Sequence, residues 1–174
     1  MTTYYEWIES PLGALLLTSD GRSLTGLYLK GQKYFPTEMQ HWTEASWIAP
    51  FPQVREQLSE YFAGQRQTFD MPLNPSGTDF QQRVWQYLQQ IPFGTTCSYG
   101  ALAQMLGNPA ASRAVGAANG RNPISIIVPC HRVVAANRQL TGYAGGLERK
   151  RWLLQHEQSH TPDIRSYSTQ LSLI

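Results

Sequence analysis

The chain is 174 residues long, 41% hydrophobic and 11% aromatic, enough for a real core in one ordinary domain or two small ones. Its net charge of +2 hides a split: residues 1–97 carry six Lys/Arg against nine Asp/Glu, and residues 98–157 carry seven against two. The composition excludes a disordered chain, while the basic second half suits either a solvated face or a polyanionic partner.

Two cysteines, Cys97 and Cys130, occur without any CxxC pair or histidine pair at ligand spacing. That usage predicts a reducing compartment, no disulfide framework and no metal site. No apolar run approaches membrane-spanning length, and the N-terminal stretch with Glu6 and Glu9 lacks a signal-peptide pattern. A cytoplasmic protein with no membrane partner is expected.

In chain order, Thr3–Ile8, Ala14–Ser19 and Leu24–Leu29 read as three short strands separated by Ser10-Pro-Leu-Gly13 and Asp20-Gly21. Asp-Gly between two apolar runs is a hairpin signal, so a small antiparallel sheet is predicted. Residues 30–49 are irregular, with Trp42 and Trp47 expected to pack over the sheet. Phe51–Phe62 has a helical stripe of Val54, Leu58 and Tyr61/Phe62, with Gly64 as its stop. No chemical constellation occurs in this half, which reads as a support domain over residues 1–77.

Asp70–Gly77, with Pro72, Pro75 and Gly77, is the predicted linker. Thr78 then opens a helix, with Gln81 completing a capping box and Phe80, Val84, Tyr87, Leu88 and Ile91 forming its apolar stripe. Ser98 caps a short helix carrying Tyr99, Leu102, Ala103 and Leu106. Gly107-Asn-Pro109 turns the chain, with Asn108 as cap and Pro109 in first position of a second helix, roughly residues 110–119. Two helices joined by a tight turn match a helix-turn-helix, with Arg113 near the start of its second helix. That helix is nearly all small residues, which suits close packing against another helix or close approach to a nucleic acid.

Ile126–Val134 reads Ile-Ile-Val-Pro-Cys-His-Arg-Val-Val. The apolar run reads as a buried strand that ends at Pro129 and leaves Cys130 at its lip, beside His131 and Arg132. Neighbouring cations and bases favour a thiolate, and the other reading is a buried structural cysteine. Leu140–Gly146 is a Gly-rich loop that permits close approach to a ligand. A final helix, Leu147–His156, turns Trp152 and Leu153 toward the core and ends at Glu157, with a polar tail over residues 158–174.

Six segments taken together resemble one family. They are Ser98-Tyr99-Gly, Arg113-Ala-Val-Gly116, Asn122-Pro123, Ile-Val-Pro-Cys-His-Arg-Val133, Gly142-Tyr143-Ala-Gly-Gly146 and Trp152-Leu-Leu-x-His-Glu157. In this order and spacing the chain resembles the O6-alkylguanine-DNA alkyltransferases over most of residues 78–157, and more loosely through Ser10-Pro-Leu-Gly13 and Tyr61-Phe-Ala-Gly64.

The resemblance implies an α+β fold: an N-terminal three-stranded antiparallel sheet with a helix, then a mostly helical domain over residues 78–157 with a helix-turn-helix of winged-helix type. It implies DNA repair by direct reversal, in which Cys130 takes an alkyl group from O6-alkylguanine, and also from O4-alkylthymine, once per chain. His131 would activate Cys130 through a water, Glu157 would orient His131, and Asn122 would support the neighbourhood. Tyr99 would help extrude the nucleotide, and Arg113 would fill the vacated stack from the minor groove. Ala114, Gly116, Ala117, Ala118 and Arg121 would meet the DNA. The substrate pocket would comprise Val133, Tyr143, Ala144 and Gly145, where Ala144 replaces a serine found in many relatives. The partner would be double-stranded DNA bearing alkylated bases, met by a monomer that needs no cofactor.

Three rivals fit parts of the pattern. A lesion-binding relative that accepts no alkyl group would lack Cys130, and a DNA-binding regulator would not need Cys130, His131 and Glu157 together. A cysteine hydrolase would hold its base and nucleophile far apart in sequence.

Overall fold

A computed structural model describes residues 1–162 of the chain. Three antiparallel strands, β1 (Tyr4–Ile8), β2 (Leu15–Ser19) and β3 (Leu24–Leu29), form the N-terminal sheet, with Tyr4 opposite Ser19 and Leu15 opposite Leu29. Gly21, at φ +97°, makes the hairpin turn, and Asp20 Oδ1 accepts from the Arg22 and Ser23 N–H groups at 2.9 and 2.8 Å. A two-residue strand, β4 (Thr43–Glu44), joins the far edge parallel to β1, so the irregular stretch holds one short strand that its polar residues concealed. Trp42 packs at a tilt on Tyr5 with ring centroids 6.3 Å apart, whereas Trp47 is 74% exposed and does not cover the sheet.

Helix α1 (Phe51–Phe62) lies on the predicted stripe, burying Val54, Leu58 and Tyr61, and Gly64 at φ +77° follows it. Residues 70–77 are less free than a linker. The Leu24 N–H donates to Pro72 O at 2.9 Å and the Asn74 N–H to Leu24 O at 2.8 Å, which stitches the segment to the outer edge of β3.

Helix α2 (Asp79–Leu88) begins with the predicted capping box, Thr78 accepting from the Gln81 N–H at 3.2 Å. Its Trp85, outside the predicted stripe, is buried and donates its indole N–H to Ala118 O at 2.9 Å. A short strand, β5 (Cys97–Ser98), precedes α3 (Tyr99–Met105), which Ser98 caps through the Ala101 N–H. A 3₁₀ turn over Pro109–Ala111 leads into α4 (Ser112–Gly120). Pro109 takes the first position as expected, but the Asn108 side chain makes no cap bond.

The strand expected at Ile126–Pro129 is absent. Ile126 sits at φ +72°, and Ile124 makes one isolated bridge to Leu27 on β3, the chain folding into successive tight turns up to a 3₁₀ turn over Cys130–Arg132. Asn122 drives this: its amide donates to Val128 O at 2.8 Å and its oxygen accepts from the Ile124 N–H at 3.0 Å. A side-chain amide that satisfies the backbone locally replaces a sheet ladder. A short apolar run signals burial without specifying a strand. The strand β6 (Val133–Val134) follows and pairs parallel with β5.

The last helix, α5 (Leu147–Ser159), runs past the predicted end, so the polar tail does not begin at residue 158. Leu153 is fully buried and Trp152 half-buried, and the remainder of the predicted tail, from residue 163, lies outside the described residues. Among those described, no helix is long and apolar enough to cross a membrane.

Because the Trp85 indole pins α4 to α2, Trp85→Phe should lower stability by about 1–2 kcal/mol through the lost hydrogen bond and the gap left by the smaller ring. Urea unfolding checks this. An unchanged midpoint would show that the indole contributes nothing.

Candidate active site at Cys130

Cys130 is only 4% exposed, at the head of the 3₁₀ turn that follows Pro129. Burial pushes its thiol up, while Asn122, Lys150 and the Cys130 and His131 backbone N–H groups pull it down less strongly. The balance corrects the expectation of a thiolate favoured by its neighbours, because the flanking Arg132 and His131 side chains turn to a different partner.

That partner is Glu157, buried on α5. Its Oε1 accepts from Arg132 Nε at 2.7 Å, and its Oε2 accepts from Arg132 Nη2 at 3.0 Å and from Tyr61 Oη at 2.7 Å. His131 Nε2 also lies 2.7 Å from Glu157 Oε2. Burial pushes the Glu157 carboxyl up, but the His131 and Arg132 contacts outweigh it and hold the group well below the usual carboxylate range. Burial depresses His131 despite the adjacent carboxylate, with the Arg132 and Lys150 charges adding to the effect. The network therefore assigns a neutral imidazole that donates from Nε2 to an ionised Glu157. His131 Nδ1, buried and without a hydrogen-bond partner among the described residues, keeps its lone pair.

A third layer surrounds the Gly-rich loop. Lys150, fully buried on α5, donates from Nζ to Val133 O at 2.6 Å, Thr141 O at 3.0 Å and Gly142 O at 3.2 Å. Burial brings its ammonium down to about 8. Tyr99 Oη donates to Thr141 O at 3.2 Å, so Tyr99 grips the same loop. A Cβ at Gly145 would sit 2.4 Å from Leu29 Cδ1 and 2.7 Å from the Tyr143 ring, so only glycine lets the loop close against β3. Asn119 Nδ2 donates to Cys130 O at 3.3 Å, and the Val133 N–H donates to the same carbonyl, while Lys150 holds Val133 O.

Tyr99, Tyr143, Ala144, Gly116, Ala117 and Asn119 line a cavity of about 430 Å³, which Lys33 and Tyr34 of the N-terminal half also reach. Its volume falls in the range of small-ligand sites. A second cavity, of about 440 Å³, lies behind Pro129 and Arg132 against residues 67–75. Neither cavity is lined by Cys130 or His131 themselves, but Tyr99, Tyr143 and Asn119 of the first belong to the surroundings of Cys130.

On α4, Arg113, Ala114 and Ala117 are exposed and Gly116 half-exposed beside the Tyr99 ring. Ala118 is buried and its carbonyl takes the Trp85 indole, so it faces the interior instead of a DNA-facing surface. Arg121 is exposed, its guanidinium 3.7 Å from the Tyr34 ring centroid. Cys130, His131, Asn122, Glu157, Tyr99, Val133, Tyr143, Ala144 and Gly145 are thus brought together. Tyr61, Arg132 as a carboxylate partner, Lys150 and Tyr34 were missed. Lys150 carried one weak signal, a lone lysine on the apolar side of the last helix.

Residues 3–75 match the family described as 6-O-methylguanine DNA methyltransferase, ribonuclease-like domain, and residues 79–159 match its DNA-binding domain. A methylated-DNA–protein-cysteine methyltransferase of Mycobacterium tuberculosis is 51% identical over 159 residues, covering 91% of this chain and 94% of the relative. One from Methanosarcina acetivorans is 49% identical, covering 90% and 99%. Among solved structures, the M. tuberculosis O6-methylguanine methyltransferase superposes with a TM-score of 0.84 at 49% identity, covering 95% of this chain and 99% of that one. The M. tuberculosis protein in complex with DNA gives 0.85 at 51% identity, covering 91% and 95%.

Glu157→Gln would leave the buried Arg132 without its counter-charge, which should destabilise the fold at neutral pH by about 3–5 kcal/mol. Because the folded carboxyl is depressed below its ordinary value of 4.5, its contribution is full above that pH and fades as pH falls below it. Urea unfolding between pH 7 and pH 3 should therefore show a shallower acid decline in the variant. An equal decline in both proteins would place the acid sensitivity elsewhere.

Proposed function

The chain belongs to the O6-methylguanine DNA methyltransferase family, and from that premise we propose that it repairs duplex DNA by moving a methyl group from O6-methylguanine to its own Cys130. One observation carries the reading: the residue after a buried thiol is an imidazole whose Nε2 lies 2.7 Å from the buried Glu157 carboxylate and whose Nδ1 has no partner among the described residues. This is the nucleophile, base and orienter logic of covalent catalysis. Since Cys130 and His131 are sequence neighbours, a bridging water carries the proton between them.

The chemistry balances in one displacement. The Cys130 proton passes through water to His131 Nδ1, and Glu157 stabilises the imidazolium. The sulfur electron pair forms the new bond to the methyl carbon as the carbon–O6 bond breaks. Its electrons stay on guanine, which takes a proton from the Tyr99 hydroxyl or solvent. The product thioether has no exchange route back to a thiol, so each chain acts once.

A stacked base must leave the duplex to reach a sulfur this deeply buried. In this reading α4 lies in the minor groove, Arg113 fills the vacated stack, and Ala114, Gly116 and Ala117 let the backbone approach. The extruded base enters the cavity between Tyr99 and Tyr143. The Cys130 and Val133 carbonyls read the guanine amine, and the backbone N–H near Ala144 faces O6. An O4-alkylthymine presents the same alkyl–oxygen linkage and is a second substrate. A lesion sensor built on the same fold is the competing reading, and it would leave the thiol unmodified.

Excess O6-methylguanine duplex should add a single methyl to the intact protein, mapping to Cys130 and saturating at one per chain. Cys130→Ala should keep lesion binding and lose transfer. Tight binding without any mass gain in the wild type would establish the sensor. Removing the base by His131→Ala should slow transfer at neutral pH and make it climb past pH 9, since burial raises the thiol above that ordinary value. An unshifted profile would exclude His131 as the base.

A further inference from the structure

Beyond the residues that the repair reading uses, the turn after β3 reaches the mouth of the cavity. The Lys33 N–H donates to Ala144 O at 2.8 Å, tying this turn to the Gly-rich loop. Tyr34 follows at φ +61°, a left-handed conformation that a bulky residue adopts only when its surroundings hold it there. Its ring is 45% exposed, with the Arg121 guanidinium 3.7 Å and the Lys33 ammonium 5.0 Å from its centroid. Both residues that carry these cations are exposed, and among the described residues neither pairs with a carboxylate.

Two cations that no carboxylate pairs among the described residues thus lie against one ring, one from each half of the chain, beside the cavity that takes the base. We propose that Lys33, Tyr34 and Arg121 form a clamp for the phosphate next to the extruded nucleotide, so that the N-terminal half takes part in substrate binding. The clamp rests on the repair reading above, because its ligand is the phosphate of a nucleotide whose base occupies the cavity. Tyr34 sets the spacing: its ring gives both cations an apolar support, and its strained backbone aims that ring toward the mouth. A lone phosphate contact of this kind adds affinity without sequence information.

Tyr34→Gly is the informative variant. Glycine takes a positive φ freely, so it relieves the backbone while deleting the platform. With methyl transfer to Cys130 as the readout, Tyr34→Gly and Lys33→Ala should each slow transfer from sub-saturating duplex by roughly three- to tenfold. The ratio of duplex to free O6-methylguanine base rates should fall with it. Lys33→Ala should also reduce the salt slope of duplex binding by about one. A duplex with an uncharged methylphosphonate beside the lesion should slow the wild type by a similar factor and Lys33→Ala by little further. If duplex and free-base rates fall together, or the melting temperature of Tyr34→Gly drops markedly, the turn is a structural brace and the clamp is overturned. Unchanged duplex rates overturn it as well. If the wild type transfers no methyl from either substrate, the repair reading fails first, a result these variants cannot imitate.

Discussion

Glu157 is the constraint from which the site's geometry follows. One carboxylate on α5 takes hydrogen bonds from Arg132 and Tyr61 and fixes His131, drawing on the turn that bears the nucleophile and on α1 of the N-terminal half. A charge this deeply buried is tolerable only when every partner is present, because losing one leaves the others uncompensated. The network therefore locks three elements together and fixes the imidazole tautomer in the same step. The N-terminal half is more than a support, since Tyr61 completes the carboxylate's shell.

The thiol's position follows from a second, backbone-based device. The edge of β3 hydrogen-bonds both residues 72–74 and residues 123–125: the Leu27 N–H donates to Pro123 O at 2.9 Å, and the Ser125 N–H to Leu27 O at 3.0 Å. Beyond that anchor the chain turns on Asn122, and Lys150 ties the Val133 carbonyl to two carbonyls of the Gly-rich loop. Sheet edge, carboxamide and buried ammonium each satisfy backbone groups that would otherwise be stranded in an apolar interior. Together they hold the nucleophile on a turn with the rigidity usually supplied by a strand.

What could be read from the sequence divides by the range of the interactions involved. The hairpin at Asp20-Gly21, the capping box at Thr78 and Gln81, and the stop at Gly64 are set by residues within a few positions of each other, and they appear where expected. The motif residues around Cys130 were legible for the same reason, being short segments of distinctive chemistry. Tyr61 lies 96 residues from Glu157, and Trp85 lies 33 from Ala118, so no local pattern links them. Ala118 illustrates the limit on helix faces. In a helix made of small residues every side looks alike, and only the Trp85 indole reveals which one is interior. The apolar run before Pro129 failed differently, because its hydrophobicity reported burial and the backbone was decided by Asn122.

Charge counting misled in a way that the structure explains. Seven cations against two carboxylates over residues 98–157 suggested a broad basic surface. Arg132 is spent on Glu157, Lys150 is buried among carbonyls, and Arg149 donates to Lys30 O at 2.8 Å and Gly145 O at 3.3 Å. Arg113, Arg121, Arg138 and Arg151 remain exposed, and Arg121 already leans on Tyr34. A polyanion would meet a few cations placed around the cavity mouth and along α4, so long-range attraction is weaker than the count implies and placement matters more. Two of the seven cations, Arg132 and Lys150, are buried struts, and the half-buried Arg149 holds backbone beside the Gly-rich loop. The same composition that suggests DNA binding thus also builds the interior that holds the thiol.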